Sequence, residues 1–296
     1  MKVPPLPQDI NAMLPHGTQR KTLNIEGYTI HYLERGKGIP VFLMHGNPTW
    51  SFLYRNIIGA LDPKKFRCIA PDLVGLGLSS KPTGSKFHTL DNHQRIMSKF
   101  LAEVIKENFI FVGQDWGGPI GLLASINSKY KIKGMVLMNT MIRPPKENFR
   151  PTFFHKFSRI PIVSDIVFRI FQFPQRYLHM VQGDPKSISG KVKAAYIYPL
   201  RKFRENKAPL FLARMVPNSH KHYSVSFFKK TEDFASTYKG QVSLIWGKKD
   251  PILGRLGSAH KKLMPHATLQ ETDGGHFIQE EYPELIVAAI RQMKEK

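Results

Sequence analysis

Two hydrophobic patterns follow one another along the chain. Lys21-Thr22-Leu23-Asn24-Ile25 and Tyr28-Thr29-Ile30-His31-Tyr32-Leu33-Glu34 alternate apolar and polar positions on either side of Glu26-Gly27. A period of two gives a strand one covered face, and the glycine-containing break predicts a β-hairpin. His31 reads there as an ordinary strand residue. From Pro40 onward the apolar positions become continuous, in Pro40 to Met44, Phe66 to Ala70, Phe109 to Val112, Gly134 to Thr140 and Val242 to Gly247. Such runs predict strands that are covered on both faces. A last strand is expected at Ala267 to Glu271.

Helical spacing fills the intervals. Phe52, Leu53, Tyr54, Ile57 and Ile58 predict a helix starting near Ser51, with Ser51 as its cap. Ile96, Phe100, Leu101, Val104 and Ile105 predict another between Asp91 and Lys106. Further helices are expected over Pro119 to Tyr130, Leu256 to Met264 and Glu284 to Lys294, whereas the proline-rich residues 1–20 read as extended chain. Strands alternating with helices predict an α/β fold with a mainly parallel sheet, whose ligands bind at the carboxyl ends of the strands. The strand ends at His45-Gly46-Asn47, Asp115 and Asn139 are therefore expected around one crevice.

The texture changes between Arg143 and about Lys230, where phenylalanine and proline are frequent and no strand pattern is convincing. This predicts a helical cap, residues 143–230, inserted into a core formed by residues 1–142 and 231–296. Its aromatic residues, Phe154 and Phe168 among them, are expected mainly in the cap's own core, with Phe277 a candidate pocket residue.

Composition changes this picture little. A chain of 296 residues suits one core with an insertion, and ordinary composition sets aside disorder, collagen and membrane-span readings. The charge is unusual, with 44 Lys+Arg against 22 Asp+Glu giving +22. It is read mainly as a solvated surface property, with a basic patch for an anionic partner as the minority alternative and no specific nucleic-acid motif. Cys68, the one cysteine, excludes an intramolecular disulfide and reads as a buried, inert thiol. No run reaches membrane-spanning length and the first residues lack an apolar targeting core, so a cytoplasmic protein is expected.

The candidate chemistry centres on Gly113-Gln114-Asp115-Trp116-Gly117-Gly118. A strand that turns through glycines into a helix is the nucleophile-elbow pattern, here with aspartate where serine is usual. A carboxylate at that point suits attack on a saturated carbon with formation of an alkyl ester. The bland alternative is an aspartate that caps a helix. Asp250, before Pro251, and His276, after Gly274-Gly275, complete the order nucleophile, acid, histidine along the chain. The Pro71-to-Ser80 loop with Asp72 and spaced glycines lacks the Gly-Lys-Ser/Thr ending of a phosphate loop and reads as a structural turn. His88 and His93 have no evident partner in the sequence.

Together, His45-Gly46-Asn47-Pro48-Thr49-Trp50, Asp72 with Gly75-Leu76-Gly77, Gln114 to Gly118, and Gly274-Gly275-His276-Phe277 resemble a haloalkane dehalogenase of the α/β-hydrolase superfamily. The resemblance covers nearly the whole chain. It implies cofactor-free, metal-free hydrolysis of a small halogenated alkane to alcohol and halide. It further implies Asp115 as nucleophile, His276 as the base that activates water, and Asp250 as its orienting acid. The Trp116 indole N–H and the Asn47 amide would bind the halide, and the backbone N–H groups of the same two residues would form an oxyanion hole. Asn139 stands where some relatives carry a glutamate, and no tryptophan lies in the cap. The resemblance is thus to the subfamily with an Asp acid and an Asn–Trp halide pair, whose members often form homo-oligomers. The main alternatives are an epoxide hydrolase using cap tyrosines, from Tyr177, Tyr196, Tyr198 and Tyr223, and an inactive basic scaffold for anionic partners.

Overall fold

The structure, a computed structural model, describes residues 2–146, 149 and 152–293. Its centre is one sheet of eight strands: β1 (Gln19–Ile25), β2 (Tyr28–Arg35), β3 (Ile39–Met44), β4 (Phe66–Pro71), β5 (Phe109–Asp115), β6 (Ile132–Thr140), β7 (Gln241–Gly247) and β8 (Thr268–Thr272). They lie in the order β1-β2-β4-β3-β5-β6-β7-β8. β1 pairs with β2, and β2 with β4, in antiparallel register; all other pairs are parallel. The expected hairpin is present, with Glu26 and Gly27 at φ 52° and 83° in its turn.

The continuous strands are covered on both sides. Phe42 and Phe111 point into one apolar layer with Ile96, Phe100 and Leu101 of the helix Leu90–Val104. Val41, Leu43, Ile110 and Val112 point into the other, with Ile57 and Ile58 on one helix and Ile286 and Ile290 on the last. Burying one such side chain contributes about 1.5–3 kcal/mol, so this alternation fixes the register strongly.

Several details depart from the sequence reading. Ser51 opens a 3-10 turn, Ser51–Tyr54, but its hydroxyl has no partner. The capping oxygen comes instead from across the fold, where Asp72 accepts the Ser51 N–H at 2.7 Å. Residues 1–20 include a short helix, Gln8–Asn11, and the first strand starts at Gln19. The helix after β5 is Gly117–Ile126, and residues 127–131 form the link to β6. The last helix is Pro283–Gln292, and Lys294 lies outside the described residues.

Among the described residues between β6 and β7 there is no strand, only helices and 3-10 turns. This excursion has a small core in which Phe168, Leu210 and Ala213 pack with Phe154, Phe157 and Phe173. It is tied to the strand ends by Trp50 Nε1 donating to Ala195 O (3.1 Å) and the His276 N–H donating to Val181 O (2.8 Å). Its last helix, Val225–Thr237, runs through residue 230 and packs on the helix after β5, with Phe228 beside the Trp116 ring.

Candidate active site

The chain leaves β3 for β4 on one side and returns to β5 on the other. Such a switch point opens a crevice at the carboxyl ends of the strands. Asn47 follows β3 there, and Asp115 closes β5. Asp115 has φ 49°, a left-handed conformation uncommon for residues other than glycine, though aspartate tolerates it better than most. The elbow's strain thus sits on the aspartate itself. The neighbouring glycines serve close approach, since a methyl on Gly117 would strike the Met44 carbonyl and one on Gly46 would strike the Asp115 carboxylate. Thr140 Oγ1 donates to Asp115 O at 2.6 Å and pins the turn.

The Asp115 carboxylate accepts the Asn47 backbone N–H at 2.7 Å, and the Trp116 backbone N–H also serves it. His276 Nε2 stands 3.6 Å from its other oxygen. Burial raises the Asp115 pKa, and nearby Asp250 adds to the rise; His276 and the two N–H groups offset part of it. The result is a carboxylate more basic than usual, held in place without a cation bound directly to it.

His276 Nδ1 donates to Asp250 Oδ2 at 2.8 Å, which fixes the tautomer with Nε2 as the acceptor facing Asp115. Burial works against the imidazolium, but Asp250 and then Asp115 outweigh it and raise the His276 pKa. Burial likewise pushes the Asp250 carboxyl up, yet the His276 ring, the Ile252 N–H and the Asn139 amide bring it down.

Asn139 acquires a defined place here. The pairing of β5 with β6 jumps from Gln114↔Met138 to Asp115↔Thr140, leaving Asn139 as the extra residue of a bulge at φ 30°. Its Nδ2 donates to Asp250 Oδ2 at 2.8 Å, and its Oδ1 accepts the Gly247 N–H at 2.8 Å. It therefore joins the ends of β6 and β7 behind the acid. Gln114 is a contact the sequence reading missed; its Nε2 lies 3.2 Å from His276 Nε2 and donates to His276 O at 3.1 Å. Strand alternation alone turns Gln114 away from Asp115, but its meeting with a histidine 162 positions on carries no signal along the strand.

Above these groups lies a cavity of about 770 Å³, lined by Asn47, Asp115, Trp116, His276 and mainly apolar side chains. Trp116 is 6% exposed, and its indole N–H meets no acceptor among the described residues. The Asn47 amide is already engaged, donating to Pro209 O at 2.9 Å with its Oδ1 unpartnered, which leaves it one further N–H. Phe154 and Phe277 line the cavity, while Phe168 is buried in the small core of the excursion. Of the four tyrosines considered, Tyr177 alone is among the cavity-lining residues. The Tyr196 hydroxyl is bound to Glu280 and the Tyr198 hydroxyl to Pro5 O. Among the described residues no group of three or more His, Cys, Asp or Glu is arranged to hold a metal ion.

The α/β-hydrolase fold family model matches residues 39–283. A haloalkane dehalogenase of Mycobacterium tuberculosis is 32% identical over 268 residues, covering 88% of this chain and 90% of the relative. The chain belongs to the haloalkane dehalogenase family. Among solved structures, the family member DatA from Agrobacterium tumefaciens superposes with a TM-score of 0.84 at 25% identity, covering 96% of this chain and 98% of its own. A cis-3-alkyl-4-alkyloxetan-2-one decarboxylase of Shewanella oneidensis is 28% identical over 293 residues, covering 95% of this chain and 89% of the relative.

His31, His88 and His93 do not line the cavity. His31 is paired with Asp72 at 2.8 Å, both fully buried, and Asp72 also accepts the Leu78 N–H at 2.7 Å. Burial tends to raise the Asp72 carboxyl, but His31, His45 and the Leu78 N–H hold it at about 2. The 71–80 loop is thus a turn wrapped around one carboxylate. His88 and His93, without evident partners in the sequence, meet each other at 3.2 Å, and burial holds His88 at about 4. Cys68 is buried and its thiol is pushed up to about 12.

Proposed function

We propose that the protein hydrolyses carbon–halogen bonds of haloalkanes through an ester on Asp115. The observation that carries this reading is a Trp116 indole N–H without an acceptor among the described residues, lining the same mainly apolar cavity as the Asp115 carboxylate, which burial makes more basic. Asp115 attacks the halogen-bearing carbon in line, and the departing halide takes the Trp116 N–H and the second N–H of Asn47. Neutral His276 then removes a proton from water, which attacks the ester carbonyl. The backbone N–H groups of Asn47 and Trp116, already on the carboxylate, stabilise the oxyanion. Asp250 holds the ring and stabilises its cation. The excursion over the site acts as the cap that keeps water out.

A second reading has its own support, in the decarboxylase relative and in the cavity's size. Attack by Asp115 at ring C4 of a β-lactone would break the C4–O bond and leave a carboxylate near the donors proposed for halide. Loss of CO2 from it, with expulsion of Asp115, would give an olefin without water. Bromide release from 1-bromobutane or 1,2-dibromoethane, abolished by Asp115→Ala, supports the first reading. Olefin and CO2 from a cis-3,4-dialkyloxetan-2-one, with no halide release across a haloalkane panel, would replace it. Diol formation from epoxides would point to the epoxide hydrolase instead.

A further inference from the structure

The charge of the chain is unevenly shared. Residues 143–230 contain 18 Lys+Arg and 4 Asp+Glu, so this segment carries +14 of the net +22. The same segment exposes apolar side chains. Ile162 is 73% exposed, Ile170 58% and Phe171 57%. Val163, Ile166 and Ile170 recur at three- and four-residue intervals and form an outer stripe on the helix Val163–Arg169, while Ser164 and Phe168 face inward and are buried. A surface helix is normally polar on its outer side, so this one lacks a partner. The stripe begins at a strained tip. Ile162 has φ 64°, and the Val163 N–H donates to Pro161 O at 2.6 Å, which makes a tight three-residue turn around a β-branched side chain. Phe153, Tyr177 and Met180 are also exposed and at the same time line the cavity, so apolar surface reaches the cavity's mouth.

We propose that this face docks on an anionic phospholipid bilayer, with the cavity opening onto the lipid. Charge decides the occupant. Two copies of a segment carrying +14 repel one another, whereas acidic headgroups attract it, and lysine and arginine stems can lie along the apolar surface with their charges in the headgroup layer. Ile162, Val163 and Ile166 enter the acyl boundary, and Lys156 and Arg176 meet phosphates. If the dehalogenase reading holds, an apolar substrate reaches Asp115 from the lipid without crossing water.

The test is co-sedimentation of the full chain with vesicles, in the absence of substrate. Binding is expected to phosphatidylcholine vesicles containing phosphatidylglycerol, weaker by about tenfold on pure phosphatidylcholine and at high salt. The double variant Ile162→Asn/Ile166→Asn keeps the net charge and is expected to bind about tenfold less. No binding to the anionic vesicles, or undiminished binding of that variant, overturns the proposal. So does light scattering that shows an oligomer dispersed by the same two substitutions, since a second copy would then cover the face. If that variant folds poorly, Lys156→Glu/Arg176→Glu replaces it, with retained binding as the contrary result. Halide release from a water-soluble substrate is measured separately, so its absence would count against the enzyme reading alone.

Discussion

The two walls of the cavity are built on opposite principles. On the strand-end wall the carboxylates and the histidine have fixed partners, while the Trp116 N–H and Asn47 Oδ1 are left open. Asp250 alone meets His276, Asn139 and the Ile252 N–H. On the helical wall the contacts are aromatic and aliphatic, and large apolar side chains such as Phe153 and Met180 remain 82% and 69% exposed. Directional bonds hold the reacting groups to within fractions of an ångström, as an in-line displacement requires. Non-directional packing tolerates changes of shape, as a wall that sets substrate fit would need.

Substitutions should therefore have steep effects on one wall and shallow ones on the other. His276→Phe is expected to stop turnover by about four orders of magnitude while leaving the first displacement intact, because it removes the base and not the nucleophile. Mass spectrometry would then find the Asp115 peptide carrying the alkyl group; an unmodified peptide would break the contrast between the two steps. Asp250→Asn should slow kcat by about a hundredfold or more. It should also displace the acid limb of kcat. Asp250 raises the His276 pKa, and the base must be neutral, so activity falls as pH drops through that raised value. Removing the anion lowers the pKa and moves the limb to lower pH; a limb that stays in place would assign it to another group.

Asp72→Asn tests the same principle away from the chemistry. Removing one partner of the buried His31–Asp72 pair should destabilise the fold by about 3 kcal/mol in urea. The sign with pH is set by the depressed carboxyl at about 2. Its contribution is complete above the ordinary carboxylate value of about 4, and is lost as pH falls toward 2. The variant should therefore lose part of the wild type's stability change over that window. On the outer face of the helical excursion, Ile166→Asn should alter stability by no more than about 0.5 kcal/mol, because the side chain is already exposed. A larger loss would mean that the stripe is packed in solution.

The same division governs what could be read from the sequence. The strands were legible because continuous apolar runs have few other uses, and the site residues because they sit directly at the ends of those runs. Asp115, Asp250, His276, Trp116 and Asn47 all fall around one cavity or directly behind it. Features that depend on distant pairing were not legible. The cap of the Ser51 turn is Asp72, 21 residues away, and the partner of His31 is the same carboxylate. Asn139 was legible as a strand-end residue at the crevice, but its bond to Asp250 was not, since that follows from a bulge that spacing along one strand does not announce. The excursion was recognised only as a change of texture, because a helix that is apolar inside and outside has no clear period to read. Its charge also looked evenly spread until it was set against the fold.

The proposed reaction runs through a covalent bond between Asp115 and the substrate carbon. The most direct measurement is a single turnover of 1-bromobutane in water enriched in oxygen-18, with enzyme in excess. The expected result is alcohol carrying ordinary oxygen taken from Asp115, with the label found in the peptide that contains Asp115. Labelled alcohol with an unlabelled Asp115 peptide would contradict it, because water would then have attacked the substrate carbon directly.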